Sequence, residues 1–162
     1  MSAAVPPTLV VGWGNLSRGD DALGPRCVAD LRAALPAHLE NYVDFLDDYQ
    51  LQVEFALDLV GRGRVLFIDA SVNCAAPFTV RQASPGRDSS FSSHSLSPEA
   101  LLQVFVDLQG HNPPSTTVLE IRGQSFELGE PMTAEAEGNL ACATAWALNW
   151  IQKEAQAGIE PT

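Results

Sequence analysis

The run Val65-Leu66-Phe67-Ile68 is apolar at every position, with no polar residue alternating through it. A strand with one wet face alternates, whereas a strand covered on both faces does not, and double cover is characteristic of parallel strands. The pattern therefore predicts a central strand over Arg64–Ile68. A second compact run, Leu9-Val10-Val11, predicts a strand over Thr8–Val11, ended by Gly12. Tyr42–Leu46, Phe78–Arg81 and Thr116–Ile121 read as three more. Helical spacing fills the gaps. From about Pro25, Val28, Leu31 and Leu35 form a face that stops at Pro36. Val53, Ala56, Leu57 and Val60 form a second face, closed by Gly61 and Gly63. Ser97 is a natural N-cap with Pro98 at the first helical position, opening a helix that carries Leu101, Leu102, Phe105 and Val106. A last helix from about Thr133 to Ala155 carries Leu140, Ala143, Ala147 and Trp150/Ile151. Strands alternating with helices in this way predict an α/β protein: a three-layer α/β/α fold on a mostly parallel five-stranded sheet.

The chain has 162 residues, 46% of them hydrophobic and 18% charged, which suits one ordered domain with a real core. Residues 1–7 and 156–162 read as flexible tails. The net charge of −11 argues against binding a phosphate backbone, so no nucleic-acid partner is expected. Cys27, Cys74 and Cys142 are odd in number and widely spaced, with no C-x-x-C, which disfavours both a disulfide framework and a thiolate zinc site. No stretch approaches the ~18 apolar residues that a membrane span needs. The expectation is a cytoplasmic monomer with no membrane partner.

Three side chains stand where a metal site would want them: Asp21 shortly after the first strand, Asp69 at the end of the Val65–Ile68 run, and His94 in a long serine-rich loop over 83–97. In open α/β sheets chemistry gathers outside the carboxyl ends of the strands. Taken singly, each has a plainer reading: a first-turn acid, a strand-end acid bonded to a loop, a polar residue in a polar loop. Together, two carboxylates and an imidazole leave open positions on a divalent ion for water and a substrate group. The neighbouring Asp20 reads as an N-cap or helix-dipole partner. Competing sites are weaker. Gly12-Trp13-Gly14 hints at a dinucleotide turn, but Ser17 replaces the third glycine, and Asp20 and Asp21 crowd the place where a pyrophosphate would bind. Gly123-Gln124-Ser125-Phe126-Glu127 lacks the second glycine of a nucleophile elbow. Asp69-Ala70-Ser71 has neither the Asp-Thr-Gly pattern nor the second copy of an aspartic-protease dyad.

Three motifs in order carry a resemblance. Gly12-x-Gly14-Asn15-x(5)-Asp20-Asp21-x(2)-Gly24, Arg64-Val65-Leu66-Phe67-Ile68-Asp69-Ala70 and Ser93-His94-Ser95-Leu96-Ser97 resemble the signatures of the maturation endopeptidases of nickel–iron hydrogenases. Leu128-Gly129-Glu130-Pro131-Met132-Thr133 is similar to that family's C-terminal region. The resemblance implies a twisted five-stranded sheet in an α/β/α fold. It also implies an endopeptidase that removes the C-terminal extension of the hydrogenase large-subunit precursor once nickel is in place. The metal ligands, and through the metal the catalytic residues, carry over as Asp21, Asp69 and His94. The nickel is supplied by the precursor, held by its cysteines, and no separate nucleophile is implied.

One segment departs from the pattern. Where many relatives have Asp-Gly-Gly-Thr-x-Gly, this chain has Asp47-Asp48-Tyr49-Gln50-Leu51-Gln52. Asp47 matches the family acid while the glycines are gone, so Asp47, Tyr49 and Gln50 are expected to read the precursor's surface. A nickel-dependent chaperone or sensor that binds the precursor without cutting it would use the same ligands, and stays open as the alternative.

Overall fold

The computed structural model describes residues 5–87 and 96–159. Its strands are β1 (Thr8–Trp13), β2 (Val43–Asp48), β3 (Arg64–Ser71), β4 (Phe78–Ala83) and β5 (Ser115–Arg122), in one sheet ordered β2-β1-β3-β5-β4. The apolar Val65–Ile68 run is central, as its lack of alternation predicts. β1 pairs in parallel with β2 and β3, and β3 with β5, while β4 runs antiparallel at one edge. The helices are α1 (Leu23–Ala34), α2 (Phe55–Asp58), α3 (Pro98–Gln109) and α4 (Ala134–Ile159).

Successive residues of the central strands feed two separate cores. Val10, Leu66, Ile68, Leu119 and Ile121 face α1 and α4, where Val28, Leu31, Leu140, Ala143, Ala147 and Ile151 meet them. Leu9, Val11, Val65, Phe67 and Val118 face the other way, onto Ala56, Leu59, Leu101, Leu102 and Phe105. Each fully buried aliphatic side chain contributes about 1.5–3 kcal/mol over its exposed state, so both faces are needed to hold the sheet. Arg64 fastens one end of it. Its guanidinium donates to Thr8 Oγ1 (3.0 Å) and to the carbonyls of Trp150 (3.0 Å) and Ile151 (2.9 Å), and lies 3.9 Å from the centre of the Trp150 ring.

Several boundaries differ from those predicted. β1, β2, β3 and β4 each run two or three residues further, because sheet pairing continues past the apolar run. The last helix continues to Ile159, beyond Ala155. A 3-10 turn at Ala37–Tyr42 has no counterpart in the periodicity. Ser97 caps α3 as expected: its side chain accepts the Ala100 N–H at 3.1 Å, with Pro98 in the first turn. The Val53/Ala56/Leu57/Val60 face is corrected. Ala56 and Leu59 point inward, while Val53, Leu57 and Val60 are exposed. Only Phe55–Asp58 of this segment is α-helical. The bonds of Ala56 N–H to the Val53 carbonyl, Leu57 to Glu54 and Val60 to Leu57 span three residues, so one short helical turn sits among tighter turns and leaves Ala56 and Leu59 as the inner face.

Candidate active site

β1 is flanked by β2 on one side and β3 on the other. The connection through α1 covers one face and that through α2 the other. This is a topological switch point, where a crevice opens beyond the strands' carboxyl ends. Two glycine positions shape its floor. α1 lies so close to β1 and β3 that a Cβ on Gly12 would meet Val28 Cγ2 at 2.7 Å, and one on Gly24 would meet the Ile68 carbonyl oxygen at 2.8 Å. Gly14, at φ +151°, would drive a Cβ into the Asp21 carbonyl oxygen. The glycines thus serve close helix–sheet approach and a chain reversal, which accounts for a dinucleotide-like spelling without a dinucleotide.

Beyond Gly14 the chain forms a 3-10 turn over Gly19–Ala22, so Asp20 and Asp21 precede α1 in an irregular turn, as Pro25 implies. Asp21 is half-buried at this turn, and its Oδ2 accepts the Asn15 N–H at 2.9 Å. Asp69 lies within β3 and does not end it, but β1 gives out beside it. The last β1–β3 pair is Gly12 with Ile68, while β3 continues along β5 to Ser71. Asp69 is therefore the first β3 residue that β1 no longer covers. Burial pushes its carboxyl up to about 7, and the carboxylates of Asp21 and Glu120 push in the same direction. The Ala70 N–H (2.8 Å) and the Trp13 side chain hydrogen-bond it and oppose that rise. The repulsion that the Asp21 carboxylate exerts on Asp69 places the two side chains near one another. Burial next to another carboxylate penalises the anionic form, and a divalent cation relieves that penalty.

Trp13 and Glu120 escaped the sequence reading. Trp13 stands one glycine beyond the first apolar run and packs edge-on against Phe67, ring centres 5.6 Å apart. Glu120 is an acid between the buried Leu119 and Ile121, paired across the sheet with Asp69. That odd polarity was the available signal. Arg81 holds Glu120 at 3.0 Å and also pairs with Glu99.

Asp20 requires a correction. It is fully buried and makes no cap bond to α1. Its carboxylate instead accepts the N–H groups of Gln124 (2.6 Å), Ser125 (3.3 Å) and Thr133 (2.7 Å) and the Thr133 hydroxyl (2.8 Å). Burial alone would raise its pKa, yet these bonds together hold it below the usual carboxylate value. Thr133 Oγ1 in turn accepts the Ala136 N–H at 3.2 Å in the first turn of α4. Asp20 thus ties the turn that carries Asp21 to the start of α4. The backbone reinforces the tie, since Asp20 N–H donates to the Ser125 carbonyl (2.9 Å) and Gly129 N–H to the Ser17 carbonyl (2.7 Å).

A cleft of about 340 Å³ opens along the switch point, lined by Gly14, Leu16, Pro25, Asp47, Asp48 and Tyr49. Asp47 and Asp48 are the last residues of β2, beside Gly12 and Trp13 of β1. Tyr49 and Gln50 are exposed, and Leu51 is buried and anchors the segment. The structure therefore brings Asp47 and Tyr49 to the cleft. His94 lies outside the described residues. Among the described residues, no three His, Cys, Asp or Glu side chains gather closely enough to hold a metal. None of the described helices is long and apolar enough to cross a membrane.

The fold is shared with hydrogenase maturation peptidases of known structure. The chain is similar to the hydrogenase maturating endopeptidase HybD from E. coli, at TM-score 0.72 and 24% identity over 91% of this chain and 93% of that one. It is also similar to the [NiFe] hydrogenase maturation protease HycI from Thermococcus kodakarensis KOD1, at TM-score 0.71 and 17% identity over 90% and 92%. A hydrogenase 2 maturation peptidase from a Thaumarchaeota archaeon gives TM-score 0.60 and 22% identity over 89% and 97%. No protein-family model matches the sequence, and no curated protein does. At these identities the likeness establishes the shared fold.

Proposed function

We propose that this protein is an endopeptidase that removes the C-terminal extension of a nickel-loaded [NiFe]-hydrogenase large-subunit precursor. The observation that carries the reading is the convergence of Asp21 and Asp69 at the switch point, in the order and setting that the three sequence motifs imply. The fold shared with structures named as hydrogenase maturation peptidases supports it.

In this reading nickel is part of the substrate, delivered on the precursor's cysteines, and Asp21, Asp69 and His94 complete its coordination. The donor set fits: oxygen and imidazole ligands suit a divalent transition metal, and three of them leave room for the precursor's own ligands. The chain's task is placement. The Asn15 N–H holds one oxygen of Asp21, while the Ala70 N–H and the Trp13 side chain hold Asp69. A metal ion there polarises the scissile carbonyl or lowers the pKa of a bound water, so no side-chain nucleophile is required. Asp47, Tyr49 and Gln50 recognise the polypeptide around the bond, and an acidic protein of net charge −11 favours a basic partner surface.

The test is to incubate the precursor with wild type and with Asp21→Ala, Asp69→Ala and His94→Ala, each checked for native circular dichroism. The expected result is processing by wild type and none by the folded variants. Full processing by any of the three removes that residue from the site. A stable, uncut complex with wild type would make the protein a nickel-dependent chaperone or sensor.

A further inference from the structure

Val53, Leu57 and Val60 belong to a turn-rich segment whose inner face is already filled by Ala56 and Leu59, so they have no core to enter. They are 49%, 65% and 42% exposed, and Tyr49 (70%), four residues before Val53, and Leu16 (61%) are exposed on the lining of the cleft. At the other end Val5 adjoins Gly61: a Cβ placed there would meet Val5 Cγ2 at 2.9 Å. Exposed aliphatic residues scattered singly need no account, but a run of them rimmed by charge marks an interaction surface. The rim is acidic, with Asp47, Asp48, Glu54 and Asp58 on the same stretch of chain. The nearby cation Arg62 is turned inward, its side chain 6% exposed and bonded to Asp44 at 2.7 Å.

We infer that the Tyr49–Val60 face is a docking platform for the folded body of the precursor, which presents an apolar patch ringed by Lys and Arg. The inference rests on the proposed function and names the surface that serves it. Two observations select this occupant. Tyr49 lines the cleft and begins the stretch of chain that carries Val53 and Leu57, so a polypeptide held in the cleft brings its parent domain toward this face. The acidic rim opposes a second copy of this equally acidic chain and attracts a basic partner. A cleft of about 340 Å³ holds only a few side chains. Contacts remote from the scissile bond supply the binding energy that positions it.

The experiment compares wild type, Val53→Gln/Leu57→Gln, and Leu108→Gln as a control at an exposed leucine on α3. With nickel-loaded precursor, the double variant should raise KM at least tenfold and leave kcat within twofold, with an unchanged melting temperature. The control should match wild type. Raising salt from 50 to 300 mM should raise the wild-type KM, because the rim acts through charge. An unchanged KM in the double variant, or an equal rise in the control, overturns the platform. So does a wild-type dimer in sedimentation that the double variant dissociates, which would assign the face to a second copy. If wild type binds the precursor without cutting it, the proposed activity fails and the platform is read from Kd: a tenfold weakening in the double variant sustains it and no change overturns it.

Discussion

Replacing Asp20 by alanine should cost several times what a helix cap costs. An N-cap acid contributes about 1 kcal/mol. Asp20 is fully buried and accepts four hydrogen bonds, of 2.6, 3.3, 2.7 and 2.8 Å, from donors more than a hundred residues away in sequence. Alanine leaves three backbone N–H groups and a hydroxyl facing a gap. Each buried donor left unpaired costs about 1–3 kcal/mol. Gln124 is exposed, so water can satisfy part of the loss there, and the net cost is about 3–5 kcal/mol. For a domain of this size that lowers the melting temperature by roughly 10 °C. The pH dependence has a definite sign. Asp20 is held below its ordinary 3.8, so the part of its contribution that depends on ionisation is complete above that pH and is lost as pH falls through the depressed value. Denaturant titrations of wild type and Asp20→Ala should therefore differ widely at neutral pH and less in acid. A gap of 1 kcal/mol or less at neutral pH, or one that does not narrow in acid, would refute the tie to the Gln124–Thr133 loop.

Asp69→Asn should stabilise the metal-free protein at pH 8 while abolishing processing. Because Asp69 is raised from 3.8 to about 7, ionisation destabilises wild type progressively across that interval. The asparagine's advantage, on the order of 2 kcal/mol after allowance for partial exposure, should grow over the interval and then level off. A difference in melting temperature that is flat with pH would contradict this. Asp21→Ala, losing one bond to the Asn15 N–H, should cost about 1 kcal/mol and all processing, while Asp21→Glu keeps part of the activity; unequal variants at positions 20 and 21 are the check. Tyr49→Gly/Gln50→Gly should raise KM for the precursor and leave melting unchanged, whereas exchanging the whole 48–52 segment would also remove the buried Leu51 and cost about 2–5 kcal/mol. Equal kinetics for the Tyr49/Gln50 pair and wild type would exclude the segment from recognition.

Sequence periodicity carried the architecture wherever it acts over many residues. Val65–Ile68 declared a doubly covered strand, and Ser97-Pro98 declared a helix start. It misled over Val53–Val60, where one short helical turn, Phe55–Asp58, sits among tighter turns and buries Ala56 and Leu59 while Val53, Leu57 and Val60 stay exposed. Asp21 and Asp69 were legible because each follows an apolar strand. Their partners were not, since Glu120 reaches Asp69 through the β3–β5 register and Trp13 through its packing at the end of β1. Asp20 was misread for the same reason. Local sequence next to a helix suggests a cap, and nothing local shows that Gln124, Ser125 and Thr133 will arrive around its carboxylate.

The central claim is that this chain cuts a precursor whose nickel completes the site. Mass spectrometry of the large-subunit precursor after incubation with the wild-type protein, once with nickel loaded and once without, tests it most directly. The account predicts loss of a single C-terminal fragment from the nickel-loaded precursor and an intact mass for the nickel-free one. An intact mass in both, or equal cleavage in both, would contradict it.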